Sequence, residues 1–113
     1  MPASPVIDRI VEAINDGFTG FNPESIVPDV EGFLEHLPDI FEALKSNLTK
    51  VTGRIEEDLP VNAAVSDAMR EMDVPLAGLE DAAREVNTTF RRVHAKELDQ
   101  HYDPRPNEKA WNV

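Results

Sequence analysis

Apolar side chains recur along this chain at alternating spacings of four and three. Val30, Leu34, Leu37, Phe41, Leu44, Leu48, Val51 and Ile55 follow that rhythm without a missed step. Val65, Met69, Met72, Leu76, Leu79, Ala83, Val86, Phe90 and Val93 then repeat it. Such a heptad pattern places its members on one stripe of an α-helix, and two such stripes in tandem predict two long helices joined seam to seam. The link between them is Asp58-Leu59-Pro60-Val61. Pro60 disfavours helix at Leu59, and proline suits the first turn of a new helix. A link that short leaves the two helices antiparallel. With the turn at 59–60, Ile55 is expected beside Val65, Val51 beside Met69, Leu44 beside Leu76 and Phe41 beside Leu79. Glu56 falls on the outer surface in this register.

A shorter amphipathic segment comes first. Ile7, Ile10, Val11, Ile14 and Phe18 share one face of a helix over 5–18. Ser4 before Pro5 is suited to cap it. This helix is expected to cover part of the hairpin. Gly20-Phe-Asn-Pro-Glu-Ser25 reads as a turn, with Asn22 placed to cap a helical turn after Pro23. The expected organisation is one helical domain over 1–100: a helix at 5–18, a helix at 29–58 and a helix at 61–100. Breaks are expected at Pro38 and at Pro75, the latter with Asp73 as cap. Residues 101–113 read as an irregular, flexible tail holding Pro104 and Pro106. The fold class is therefore all-α: a long antiparallel, coiled-coil-like hairpin with a short N-terminal helix.

Composition narrows the function. Of 113 residues, 22 are acidic and 11 basic, for a formal charge of −11. Phosphate backbones and anionic lipid surfaces repel such a chain, so nucleic acid and membrane insertion are not expected. The densest basic cluster is Arg91, Arg92 and Lys96, with acids around it. Cysteine is absent, which excludes disulfides, thiolate metal sites and a cysteine nucleophile. No apolar run approaches the roughly 20 residues of a membrane span. The first residues lack the basic n-region and apolar h-region of a signal peptide. The expected location is the cytoplasm, or outside the cell after export without a cleaved signal.

Catalytic patterns are missing. The serines occupy no nucleophile-elbow context, and the glycines are too isolated to cradle phosphate. His94, Glu97 and His101 share a helical face at ligand-like spacing, yet the ordinary reading is the solvated end of a helix. The Glu-x-x-His spacing of a di-iron carboxylate site is absent. No enzyme activity, cofactor or metal is expected.

Contact residues are easier to propose. Met69 and Met72 offer a soft, adaptable seam. Tyr102 and Trp111, the single tyrosine and single tryptophan, stand near the end of the chain, and tryptophan is favoured at binding hot spots.

Length, acidity, lack of cysteine and the heptad hairpin together resemble the WXG-type small proteins of type VII secretion systems. The likeness is architectural and covers residues 29–100. The Trp-x-Gly turn of that family is replaced here by Glu57-Asp-Leu-Pro-Val61, and Pro106 stands where the family's tail signal places an acid four residues after a tyrosine. The tail from Pro104 to Val113 resembles the ends of small proteins of actinobacterial mobile elements. The resemblance implies a non-enzymatic interaction module, a homodimer or a heterodimer with another helical protein, serving as accessory or substrate of a type VII-like secretion or conjugation apparatus. The alternative is a structural component of a phage or mobile-element assembly; a small metal protein or enzyme ranks last. The pattern makes one immediate demand: far-ultraviolet circular dichroism is expected to show helix minima at 208 and 222 nm (on the order of the usual values for α-helix), and a strand-dominated spectrum would refute it.

Overall fold

The computed structural model describes residues 4–103. Every element among them is helical: α1 (Pro5–Thr19), a kinked turn (Ile26–Val30), α2 (Glu31–Asp58), α3 (Ala63–Arg70), α4 (Asp73–Val93) and α5 (Ala95–Tyr102). The turn and α2 make one rod of 33 residues, and α3 with α4 makes another of 31, packed antiparallel. The Cα trace is extended, 76 × 26 × 18 Å. The all-α hairpin read from the heptads is the observed architecture.

Local chemistry explains most boundaries. Ser4 Oγ accepts from the Ile7 amide at 3.3 Å, and Pro5 opens the first turn of α1, as its sequence predicts. Ser25, rather than Asn22, caps the next rod, accepting from the Asp29 amide at 3.4 Å. Asp29 reaches back to the Glu24 amide at 2.9 Å, a reciprocal cap. Val27 is extended there, so the rod is kinked before α2 begins. Asn62 Oδ1 accepts from the Ala64 amide at 2.8 Å and starts α3.

Of the two prolines expected to interrupt helix, only one does. Around Pro75 the chain tightens at Glu71-Met72, and α4 restarts at Asp73 with Met72, not Asp73, at the cap position. Pro75 then falls in the first turn, where its missing amide costs nothing. Pro38 lies inside α2, which continues through it. Its ring is buried in the seam, and packing there offsets the lost backbone bond. A further break at His94 separates α4 from α5 and carries no proline signal. Helix persists to Tyr102, so residues 101 and 102 belong to α5, and residues 104–113 of the expected tail lie outside the described residues.

The seam itself is rotated from its expected position. On α2 the inward positions are 31, 34, 38, 41, 45, 48, 52 and 55. On α3 and α4 they are 66, 69, 73, 76, 80, 83, 87, 90 and 94. One row on each rod is apolar, as expected: Leu34, Phe41, Leu48 and Ile55 against Met69, Leu76, Ala83 and Phe90. The second row is polar: Glu31, Lys45 and Thr52 with Pro38, and Ser66, Asp73, Glu80, Asn87 and His94. Val30, Leu37, Leu44 and Val51 were the expected second row, and they sit instead one position aside, on the flank. Val65, Met72, Leu79, Val86 and Val93 do the same on the other rod. The expected pairs shift with them: Thr52, not Val51, meets Met69, its hydroxyl 3.9 Å from the sulfur.

Several polar groups in the seam find partners, whereas Asn87 Oδ1 and His94 Nδ1 have none among the described residues. The Thr52 hydroxyl donates to the Leu48 carbonyl at 2.8 Å, and Glu80 pairs with Arg84 one turn on. Glu31, 4% exposed, accepts from Arg91 at 3.0 Å and from the Tyr102 hydroxyl. Ion pairs also bridge one outer edge of the hairpin: Glu56 with Arg70 near the turn, and Glu35 with Arg91 at 3.9 Å near the open end. Glu56 is thus a cross-helix partner and not an idle surface residue. Exposed pairs like this one contribute about 0–1 kcal/mol each.

Leu76→Asp is expected to lower stability by about 3 kcal/mol, because it sets a carboxylate in the apolar row. Arg91→Ala is expected to cost about 2 kcal/mol by stranding the buried Glu31 carboxylate. Glu56→Ala is expected to change stability by no more than about 1 kcal/mol. Urea unfolding of the three variants checks the order.

Candidate interaction face

The rotated seam divides the hairpin into two unlike edges. In an antiparallel helix pair, flanking positions of the same kind meet across the seam. The charged flank, with Glu56 and Arg70 paired, lies on one edge. The displaced apolar rows lie together on the other. Val30, Leu37 and Leu44 there are half-buried and Val51 is exposed. Across from them Val65, Met72, Leu79 and Val86 are each nearly half exposed, and Val93 is 64% exposed. Next to these on α3 and α4 stand Ala68, Pro75, Ala82 and Thr89, small side chains that widen the apolar strip. The strip therefore runs the length of the hairpin, and single exposed apolar residues would not line up so.

Near the open end the strip deepens into a shallow, open groove of about 420 Å³, lined by Glu85, Val86, Thr89, Phe90, Val93 and His94. Phe90 forms its floor and packs its ring 5.0 Å from that of His94. Buried polar atoms without a partner among the described residues are Asn87 Oδ1 and His94 Nδ1.

A second apolar face is bare. Ile7, Ile10, Val11, Ile14 and Phe18 of α1 are all 40% exposed or more. The sequence predicts that α1 covers the hairpin; in the structure every residue of α1 is exposed. What holds α1 is an aromatic trio at its end. Phe21 stacks on Phe33 at 4.4 Å, and Phe18 meets Phe33 edge-on at 6.3 Å.

The four residues singled out as contacts separate. Met72 lies on the exposed strip. Met69 is in the seam beside Thr52 and is half-buried. Tyr102 makes an internal bond: its ring is largely exposed, but its hydroxyl donates to Glu31 and ties the end of α5 to the start of α2. Trp111 lies outside the described residues. The strongest positions, Leu79, Val86 and Val93, were assigned to the core by the heptads. The signal that marks them is the breadth of the apolar arc, which with Ala82 and Thr89 exceeds what one partner helix covers.

His94 Nδ1 is 3.6 Å from Glu97, while His101 packs edge-on against Tyr102. Among the described residues no group of three potential ligands converges, and no helix is long and apolar enough to cross a membrane. Charge effects are equally local. Hydrogen bonding to Glu80 holds the Arg84 guanidinium above its ordinary range. The Tyr102 phenol is raised above its ordinary value of 10.0, first by its bond to Glu31, then by desolvation and by the Glu31 charge.

Comparison with protein-family models, with curated proteins and with solved structures gives no match. The class defined by the fold is an all-α helical hairpin, and its distinguishing surface is the apolar strip.

Because Tyr102 is the only tyrosine, its ionisation can be followed directly by absorbance near 295 nm (an approximate tyrosinate wavelength). The phenol's pKa is raised on folding, so its bond to Glu31 contributes fully below pH 10 and is lost as pH climbs through the raised value. Glu31→Gln is expected to bring the midpoint back toward 10; an unchanged midpoint would show that the bond does not persist in solution.

Proposed function

We propose that this protein is a non-enzymatic interaction module whose working surface is the apolar strip beside the seam, and that it docks another helical surface there. The observation that carries this reading is the strip itself: apolar rows from both rods on one edge, with ion pairs on the opposite edge. A helix pair laid along such a strip completes a four-helix arrangement, the usual way to cover hairpins of this kind. The charge of −11 supports a partner with a neutral or basic contacting surface, and equally a second copy whose acids face outward.

The acidic, cysteine-free hairpin supports a finer reading, an accessory or substrate of a type VII-like secretion or conjugation apparatus. That reading rests on architectural resemblance alone.

The test is a paired measurement of association and stability. Met72→Asp with Leu79→Asp is expected to abolish assembly, seen by size-exclusion chromatography with light scattering on the protein alone and with its partner from the native host. The same substitutions are expected to leave the melting temperature within about 5 °C of wild type, since both side chains lie outside the seam. A protein that is a compact monomer, and that also recovers no helical partner, would refute the module. A collapse of the melting temperature would show that these residues belong to the core.

A further inference from the structure

The apolar strip is bordered by one more heptad row on the outer side of each rod. On the first rod, the turn with α2, that row carries Asp29, His36, Ala43 and Lys50. On the second rod, α3 with α4, it carries Glu71, Gly78, Glu85 and Arg92. All of these but Asp29 are exposed. Where two hairpins form a four-helix bundle, such rows flank the contact between them, as the row of Glu56 and Arg70 flanks the contact within one hairpin. Of the ion pairs among the described residues, none involves Lys50, Glu71, Glu85 or Arg92. Levels along the rods follow from the seam, where Thr52 lies beside Met69. Counting along antiparallel helices from that pair sets Lys50 level with Glu71, His36 with Glu85 and Asp29 with Arg92. Ala43 falls level with Gly78. Each charged level thus holds a carboxylate opposite a cation or an imidazole donor. Within one chain these partners face outward on opposite sides of the hairpin, about two helix diameters or roughly 20 Å apart, and do not meet.

We propose that the strip is covered by the same strip of a second copy, with the two-fold axis running along the rods. This rests on the module reading and names its partner. With that axis, the first rod of each copy lies against the second rod of the other, and levels are unchanged. Lys50 then meets Glu71 of the second copy, His36 meets its Glu85, and Asp29 meets its Arg92. Ala43 meets Gly78 between them, and small side chains there let the rods approach closely. The alternative two-fold axis lies across the rods and brings like rods together. Centred on Gly78, it sets Glu71 of each copy against Glu85 of the other, and Lys50 against His36. Opposed like charges are unfavourable, so charge selects the axis along the rods. Charge also selects the occupant. A uniformly basic partner suits Glu71 and Glu85 but is repelled by Lys50 and Arg92, whereas a second copy suits all four.

Light scattering on the wild type is expected to read twice the 12.6 kDa chain mass. Glu71→Lys sets two cations together at each of two symmetric sites and is expected to raise the dimer dissociation constant about tenfold. Lys50→Glu with Glu71→Lys exchanges the two charges and is expected to bring the constant back to within about threefold of wild type. Crosslinking reads the axis. The chain has no cysteine, and nothing stands where a Cβ at Gly78 would be. A short thiol-reactive crosslinker is expected to join a mixture of Ala43→Cys and Gly78→Cys chains and to leave either variant alone unjoined. Crosslinking of Gly78→Cys to itself would overturn the proposal in favour of like rods meeting. A dimer indifferent to Glu71→Lys would overturn it as well. A wild type that stays monomeric at all concentrations overturns it outright; if that monomer still takes a helical partner through Met72 and Leu79, the module reading stands.

Discussion

The rest of the structure follows from how the two rods are rotated about their own axes. Each rod carries an apolar arc wider than a single neighbouring helix can cover. Turning that arc fully inward would bury both apolar rows but would pull the charged flank apart. Turning it one position outward keeps Leu34, Phe41, Leu48 and Ile55 in the seam and lets Glu56 meet Arg70 and Glu35 meet Arg91 across its edge. The consequence is a seam that is half polar and a strip that is half exposed. The apolar seam row and the exposed strip thereby occupy adjacent rows of the same helices.

Part of the polar row in this seam finds partners on its own helix. Thr52 bonds back to its own helix, and Glu80 pairs with Arg84 one turn away. Glu31 is the exception, since its two donors come from α4 and α5, 60 and 71 residues further along the chain. That node closes the open end of the hairpin. Hydrophobic burial there is thin: the buried apolar residues are Ala83, Phe90 and Leu98. A directed polar clamp thus does at the open end what the Asn62-capped turn does at the other.

The two apolar surfaces left over differ in attachment. The strip belongs to the rigid rods, and α1 is joined to them only through Phe18, Phe21 and Phe33. The apolar face of α1 stays exposed along the whole helix.

The amino-acid sequence by itself determined the helices, their antiparallel order and several of their ends. Period, the Ser4 cap and the Pro60 link are local properties, and local chemistry decides them. The apolar seam row was legible for the same reason. Sequence spacing did not distinguish the seam from the strip, because Val65 and Ser66, or Leu79 and Glu80, differ by one helical step and the apolar member is the natural choice for burial. Only the tertiary structure made that choice, because one neighbouring helix covers only part of a broad apolar arc and leaves the adjacent row outside. The same holds for Tyr102, which read as a free aromatic anchor until the fold brought Glu31 to it. Whether α1 lies on its own hairpin was likewise beyond periodicity, since an amphipathic face does not say what lies against it.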